Sequence, residues 1–141
     1  MQQNIYKIGD KFLKTRLITD EMIGAFAKVS GDHNPVHLND EYAAKTIFGK
    51  RIAHGFLVGS LISAVLGNDY PGVGTIYLSQ RMKFLHPVYI EDEITIKVEI
   101  IEIPKEDRLL LRTSCVNQHK NIVIEGEALV IPPDINQLKE R

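Results

Sequence analysis

The sequence predicts an α+β fold, with helices in the first half of the chain and an antiparallel sheet in the second. Three observations carry this. Residues 56–66 are apolar round most of a helical circumference, and residues 93–103 alternate between apolar and polar side chains. Similar strand-like runs lie at 75–85, 109–117 and 122–131, separated mostly by short polar connections. A helix that is apolar nearly all round must be buried, and consecutive strands with short loops pair antiparallel. Wrapping the sheet around the helix buries both apolar surfaces at once.

The elements follow in order. Thr19 can cap free backbone amides, and Asp20 and Glu21 suit the positive end of a helix dipole, so a helix starts there. Met22, Ile23, Phe26, Ala27 and Val29 would form its buried stripe up to Gly31. A second short helix is predicted at 40–46, with Tyr42, Ala43 and Ile47 available for packing. In the buried helix, Phe56, Leu57, Val58, Leu61, Ile62, Val65 and Leu66 supply the apolar surface, and Gly67-Asn68 ends it. Along 93–103, Ile94, Ile96, Val98 and Ile100 take one side of the strand and Thr95, Lys97, Glu99 and Ile101 the other.

Composition bounds the function. The chain has 141 residues, 44% hydrophobic and 25% charged, which fits a folded protein and excludes a disordered one. Its length suits one core, so residues 1–141 are read as a single domain. Seventeen basic residues against eighteen acidic ones give a net charge of −1, with no basic run, so no nucleic-acid partner is expected. Residues 1–7 lack the apolar core of a signal peptide, and the longest apolar stretch falls short of the roughly 20 residues of a membrane span. No membrane partner and a cytoplasmic location are expected. Cys115 is the only cysteine, which rules out an intrachain disulfide or a thiolate metal cluster, and its strand-like flanks make it a buried structural thiol.

The densest polar cluster is Ser30-Gly31-Asp32-His33-Asn34-Pro35-Val36-His37, in a stretch that Gly31 and Pro35 are expected to keep out of regular structure. A carboxylate beside an imidazole can activate water, one group taking a proton while the other gives one. On spacing alone, the alternative is that Asp32 caps a turn and His37 is a hydrogen-bonded core histidine. His33 and His37 would share a metal only on a helix, which Pro35 interrupts, so no metal site is read there. His33 is expected to face solvent and Asn34 to brace the loop. Ahead of the buried helix stands Ile52-Ala53-His54-Gly55-Phe56. Gly55 allows close approach to unpaired amides at a helix start, where an oxyanion can be stabilised. The alternative is that Gly55 serves packing and His54 caps or packs locally. Ser63, two turns on, can reach a ligand or bond back to its own helix.

Taken together, the 30–37 cluster, Ile52-Ala53-His54-Gly55-Phe56-Leu57, Leu61-Ile62-Ser63, Pro71-Gly72-Val73-Gly74-Thr75-Ile76-Tyr77-Leu78 and Phe84-Leu85-His86-Pro87-Val88 resemble the MaoC-like (R)-specific enoyl-CoA hydratases. The resemblance implies the hotdog fold, an antiparallel sheet wrapped around a central helix. It also implies reversible syn addition of water to a trans-2-enoyl-CoA, giving an (R)-3-hydroxyacyl-CoA. The implied partner is an acyl-CoA thioester, with neither cofactor nor metal. Asp32 and His37 would then be the catalytic pair and the Gly55 amide the donor to the thioester carbonyl, with Asn34 and Ser63 supporting the site. Which of Asp32 and His37 acts as base is left open. A homodimer is implied by analogy.

Two other readings compete. A hotdog thioesterase would carry an acid on the central helix, and none stands between Gly55 and Leu66. A non-catalytic acyl-CoA-binding protein would be expected to have lost Asp32 or His37. Arg51, Arg81 and Lys83 lie near the motif blocks, but solvated surface charge is the preferred reading for them over contacts to a nucleotide.

Overall fold

The alternation read at 93–103 becomes the longest strand of the protein in a computed structural model that describes residues 5–134. The polar start of the chain at residues 1–4 lies outside the described residues. In chain order the elements are β1 (Lys11–Leu17), α1 (Asp20–Ser30), α2 (Pro35–Leu38), α3 (Asp40–Ala44) and α4 (Gly55–Asn68). There follow β2 (Ile76–Phe84), β3 (Glu93–Lys105), β4 (Arg108–Val116) and β5 (Ile122–Ile131).

The strand pattern is borne out on β3, where Ile94, Ile96, Val98 and Ile100 are all fully buried. The same side of the sheet receives Leu109, Leu111, Thr113 and Cys115 of β4 and Ala128 and Val130 of β5. Against it packs α4, which buries Leu57, Val58, Leu61, Ile62, Val65 and Leu66. Each such side chain removed from water contributes roughly 1.5–3 kcal/mol, so this helix-on-sheet contact is the main source of stability. Cys115 is fully buried, and burial pushes its thiol up to about 12, as suits a structural thiol.

Several expectations need correction. The sheet order is β1-β3-β4-β5-β2, all antiparallel, so only β3, β4 and β5 form a meander. The β2–β3 connection is long enough to cross the end of the sheet, and β2 pairs with β5 at the far edge. Strand β1 adds to the expected elements; Lys-Phe-Leu-Lys-Thr-Arg-Leu is largely polar and exposed, as an edge strand can be. Pro35 does not keep its segment out of regular structure. It occupies the first position of α2, where a proline loses no helical hydrogen bond. Of the residues assigned to packing, Val29 is 83% exposed, Ile47 96% and Phe56 67%, while Ile23, Ala27 and Ala43 are buried. Gly67 and Asn68 belong to the last turn of α4, and Asp69 caps it.

One glycine is required by the β2–β5 pairing. A Cβ on Gly126 would lie 1.8 Å from the carbonyl oxygen of Arg81, so no larger residue fits without parting the strands. Among the described residues, no helix is long and apolar enough to cross a membrane.

Candidate active site

Helix α1 delivers the polar loop. Thr19 accepts a hydrogen bond from the Met22 amide at the start of the helix, and Gly31, at φ 80°, closes it in the left-handed conformation that glycine adopts freely. Beyond it the loop is tied by short-range bonds. The Asp32 amide donates to Ser30 Oγ at 3.1 Å, the Asn34 amide to Asp32 Oδ1 at 3.2 Å and the Val36 amide to Asn34 Oδ1 at 3.2 Å. Asp32 therefore does cap a turn, and Asn34 does brace the loop by capping α2. The Asp32 carboxylate is nonetheless exposed and lines a cavity. His33 faces solvent.

The single turn of α2 points His37 inward, where it is 8% exposed. Its Nδ1 lies 2.8 Å from the Ile52 carbonyl oxygen. A carbonyl only accepts, so the neutral ring carries its proton on Nδ1 and leaves Nε2 bare. Ile52 belongs to the strap that leads into α4. That strap is held by bonds from the Ile52 amide to Val36 O (3.3 Å) and from the Ala53 amide to Val88 O (2.7 Å).

Next on the strap is His54, only 2% exposed. Its ring stacks on that of His37 with centroids 3.9 Å apart and planes 28° apart, and Phe26 covers it at 4.9 Å. Its Nε2 donates to the Asp32 carbonyl oxygen at 3.1 Å, while Nδ1 is buried without a partner among the described residues. Burial pushes the His54 pKa down, with the neighbouring His37 adding to the effect and the Asp32 carbonyl opposing it. The folded state thus binds a proton at His54 less readily than the unfolded chain does. Stability from this group is complete above the unfolded value of about 6.5 and is lost as pH falls below it. The urea midpoint should drop between about pH 7.5 and about pH 5.5, and drop less in His54→Gln. Equal losses in the two proteins would contradict the assignment.

The strap ends at the N-terminus of α4, where His54 is the N-cap without a side-chain capping bond. The amides of Gly55 and Phe56 find no acceptor among the described residues, as the first turn of a helix dictates. Both residues line the cavity of about 590 Å³ that also exposes Asp32, His54, Phe84 and Val88. A Cβ at Gly55 would come within 2.8 Å of the Phe84 ring, so the glycine allows the close packing and leaves the helix end open in the same place. A second cavity, about 450 Å³, shares Phe56 and is lined by Gly59, Ser60 and Met82. Ser63 lines neither of these two and sits on the exposed face of α4.

The basic residues are engaged elsewhere or exposed. Arg51 donates from Nε to the His37 carbonyl at 2.7 Å and pairs with Asp20 and Asp40, so it ties α1, α2 and α3 together. Arg81 pairs with Glu125 and Glu127 across β2 and β5, and Lys83 is exposed.

The structure therefore brings Asp32 and His37 together and adds His54, one ligand-type atom of each lying within 4.8 Å of the others. Two imidazoles and a carboxylate are donor types that can hold an ion. The imidazole that joins His37 is thus His54 and not His33, and it is more than a local cap. Its only signal in the sequence is its place beside Gly55, since the stacking on His37 joins residues far apart in the chain. Chemically, a carboxylate that lines the cavity beside the helix-end amides, with the His37 imidazole close to it, can accept a proton while the amides stabilise an oxyanion.

The family described as a MaoC like domain matches residues 3–122. A 3-hydroxybutyryl-CoA dehydratase of Methylorubrum extorquens is 44% identical over 124 residues, 87% of this chain and 78% of that one. An (R)-specific enoyl-CoA hydratase of Rhodospirillum rubrum is 43% identical, covering 90% of this chain and 88% of that one. The solved structure of an unliganded R-hydratase from Pseudomonas aeruginosa superposes with a TM-score of 0.89 at 42% identity, covering 94% of this chain and 85% of that one.

Proposed function

The chain belongs to the MaoC-like dehydratase family with the hotdog fold, and from that premise we infer that it catalyses reversible syn addition of water to a trans-2-enoyl-CoA. The product is an (R)-3-hydroxyacyl-CoA. One observation carries the reading beyond family likeness: the Asp32 carboxylate, backed by the His37 imidazole, shares a cavity of about 590 Å³ with the unpaired amides of α4.

The chemistry follows from the tautomers. With its proton on Nδ1, His37 presents a bare Nε2, and the Asp32 carboxylate presents a second acceptor. A water donating one hydrogen bond to each is held with a lone pair free to attack carbon 3 of the enoyl thioester. As that carbon–oxygen bond forms, the carbon–carbon double bond gives up its electron pair, and negative charge develops on the thioester oxygen. The Gly55 amide at the helix end receives it. The pair takes one proton from the water and returns it to carbon 2, so both new bonds form on the face where the pair lies. Water is the only co-reactant, and the reading needs no cofactor or metal.

The same reading makes the protein a homodimer joined through β2. Among the described residues the sheet has two edges, and β2 exposes the longer apolar run, Ile76-Tyr77-Leu78 with Phe84, where β1 exposes only Leu13 and Leu17 between Lys11, Lys14 and Arg16. Sedimentation equilibrium should return twice the chain mass, and a monomer at micromolar concentration would contradict it.

The test of the activity is loss of the enoyl absorbance of crotonyl-CoA, read together with free thiol. Absorbance lost without thiol is the expected result. Thiol release would show a thioesterase, and no change a binding protein.

A further inference from the structure

We infer that His54 is a positioning residue of this site, whose neutral ring fixes Asp32 relative to His37 and the α4 N-terminus; the inference rests on the hydratase reading. Four observations converge on it. His54 is nearly fully buried, although it lines the cavity that Asp32 also lines. Its Nε2 donates to the carbonyl oxygen of Asp32 itself. Its face stacks on the His37 ring at 3.9 Å. Its Nδ1 is buried with no partner among the described residues.

The hydrogen bond dictates the tautomer. Because the Asp32 carbonyl only accepts, the ring proton is on Nε2 and Nδ1 is a bare lone pair. Protonating Nδ1 would bury a donor with no acceptor against a second imidazole, so the ring stays neutral. A neutral ring puts no charge against His37 when that residue takes a proton from water. The two histidines thus form complementary halves of one clamp. His37 gives its Nδ1–H to the strap at Ile52, and the strap gives the His54 Nε2–H back to the loop at Asp32. Gly55 follows His54 directly, so the water-holding pair and the oxyanion donor share a rigid reference. An error of about 1 Å in such a constellation costs on the order of 100-fold in rate.

The test separates the hydrogen bond from the packing. His54→Phe keeps the ring and the stack but loses the donor, whereas His54→Gln restores an N–H near the position of Nε2. With crotonyl-CoA, His54→Phe is expected to lose about 10- to 100-fold in kcat with KM within about twofold. His54→Gln is expected to recover kcat to within about fivefold of wild type. A Phe variant with wild-type kcat, or a Gln variant no faster than the Phe variant, would overturn the inference. Imidazole nitrogen NMR of the unmutated protein gives a readout that does not depend on variant folding. A proton on His54 Nε2 with Nδ1 bare is expected, and a proton on Nδ1 would overturn it. A wild-type protein silent toward crotonyl-CoA would instead defeat the hydratase reading. That failure is told apart from failure of the clamp, which shows as an active Phe variant or a ring protonated on Nδ1.

Discussion

Asp32→Asn is expected to lower kcat for enoyl-thioester hydration by at least ~100-fold, the scale of removing a group that transfers a proton in the transition state. The substitution is nearly isosteric. The carboxamide oxygen of the variant can still accept the Asn34 amide, so the turn that Asp32 caps is retained. What changes is that an amide takes up no proton, and its NH₂ can turn a donor toward the water where an acceptor stood. Because the side chain is exposed, stability should stay within about 0.5 kcal/mol of wild type. Steady-state rates with crotonyl-CoA and a urea titration of the same preparation check both halves. A variant that keeps near-wild-type turnover would remove Asp32 from the chemistry.

His37→Gln should cost a comparable factor, again ~100-fold or more in kcat, for a different local reason. A glutamine amide reaches the place of Nε2 and not that of Nδ1, so the bond to the Ile52 carbonyl that ties α2 to the strap is lost. It has no basic nitrogen to replace Nε2, so the water loses one of its two acceptors. His37 is buried and stacked on His54, and the change should also destabilise the protein by about 1 kcal/mol. If the two residues hold the same water, as proposed, their effects should not add. The double variant Asp32→Asn/His37→Gln should be within about tenfold of the slower single variant. Full additivity would mean that the residues act in separate steps.

The parts of the fold legible in the sequence are those set by a local period. The alternation of Ile94, Ile96, Val98 and Ile100 and the all-round apolar run of α4 leave one way to bury each surface, and the structure uses it. The cap at Thr19 and the stop at Gly31 are likewise local chemistry. What the sequence does not show has a common physical cause. Strand β1 is an edge whose side chains are largely solvated, so it carries no apolar period. The place of β2 beside β5 depends on which edge the chain reaches after the 85–92 connection, a tertiary matter. Pro35 is ambiguous in sequence because a proline breaks a helix in its interior but serves well at its first residue.

The candidate site divides in the same way. Asp32, Asn34 and His37 lie within six residues, and their spacing already suggests a turn with an acid and an imidazole. His54 becomes part of it only through a stack between residues 17 positions apart and a bond back to Asp32, neither of which has a sequence period. Ser63 illustrates the reverse case. It stands on α4 as expected, but its face of the helix is exposed in the single chain and lies away from the Asp32 cavity.

The central claim is that Asp32 and His37 add water to one face of an enoyl thioester held at the N-terminus of α4. The most direct measurement is the configuration of the product from crotonyl-CoA, read by an (R)-specific 3-hydroxyacyl-CoA dehydrogenase, with Asp32→Asn alongside. Rapid formation of the (R) product by the wild type and near silence of the variant is the predicted result. An (S) or racemic product, or a variant as fast as the wild type, would contradict it.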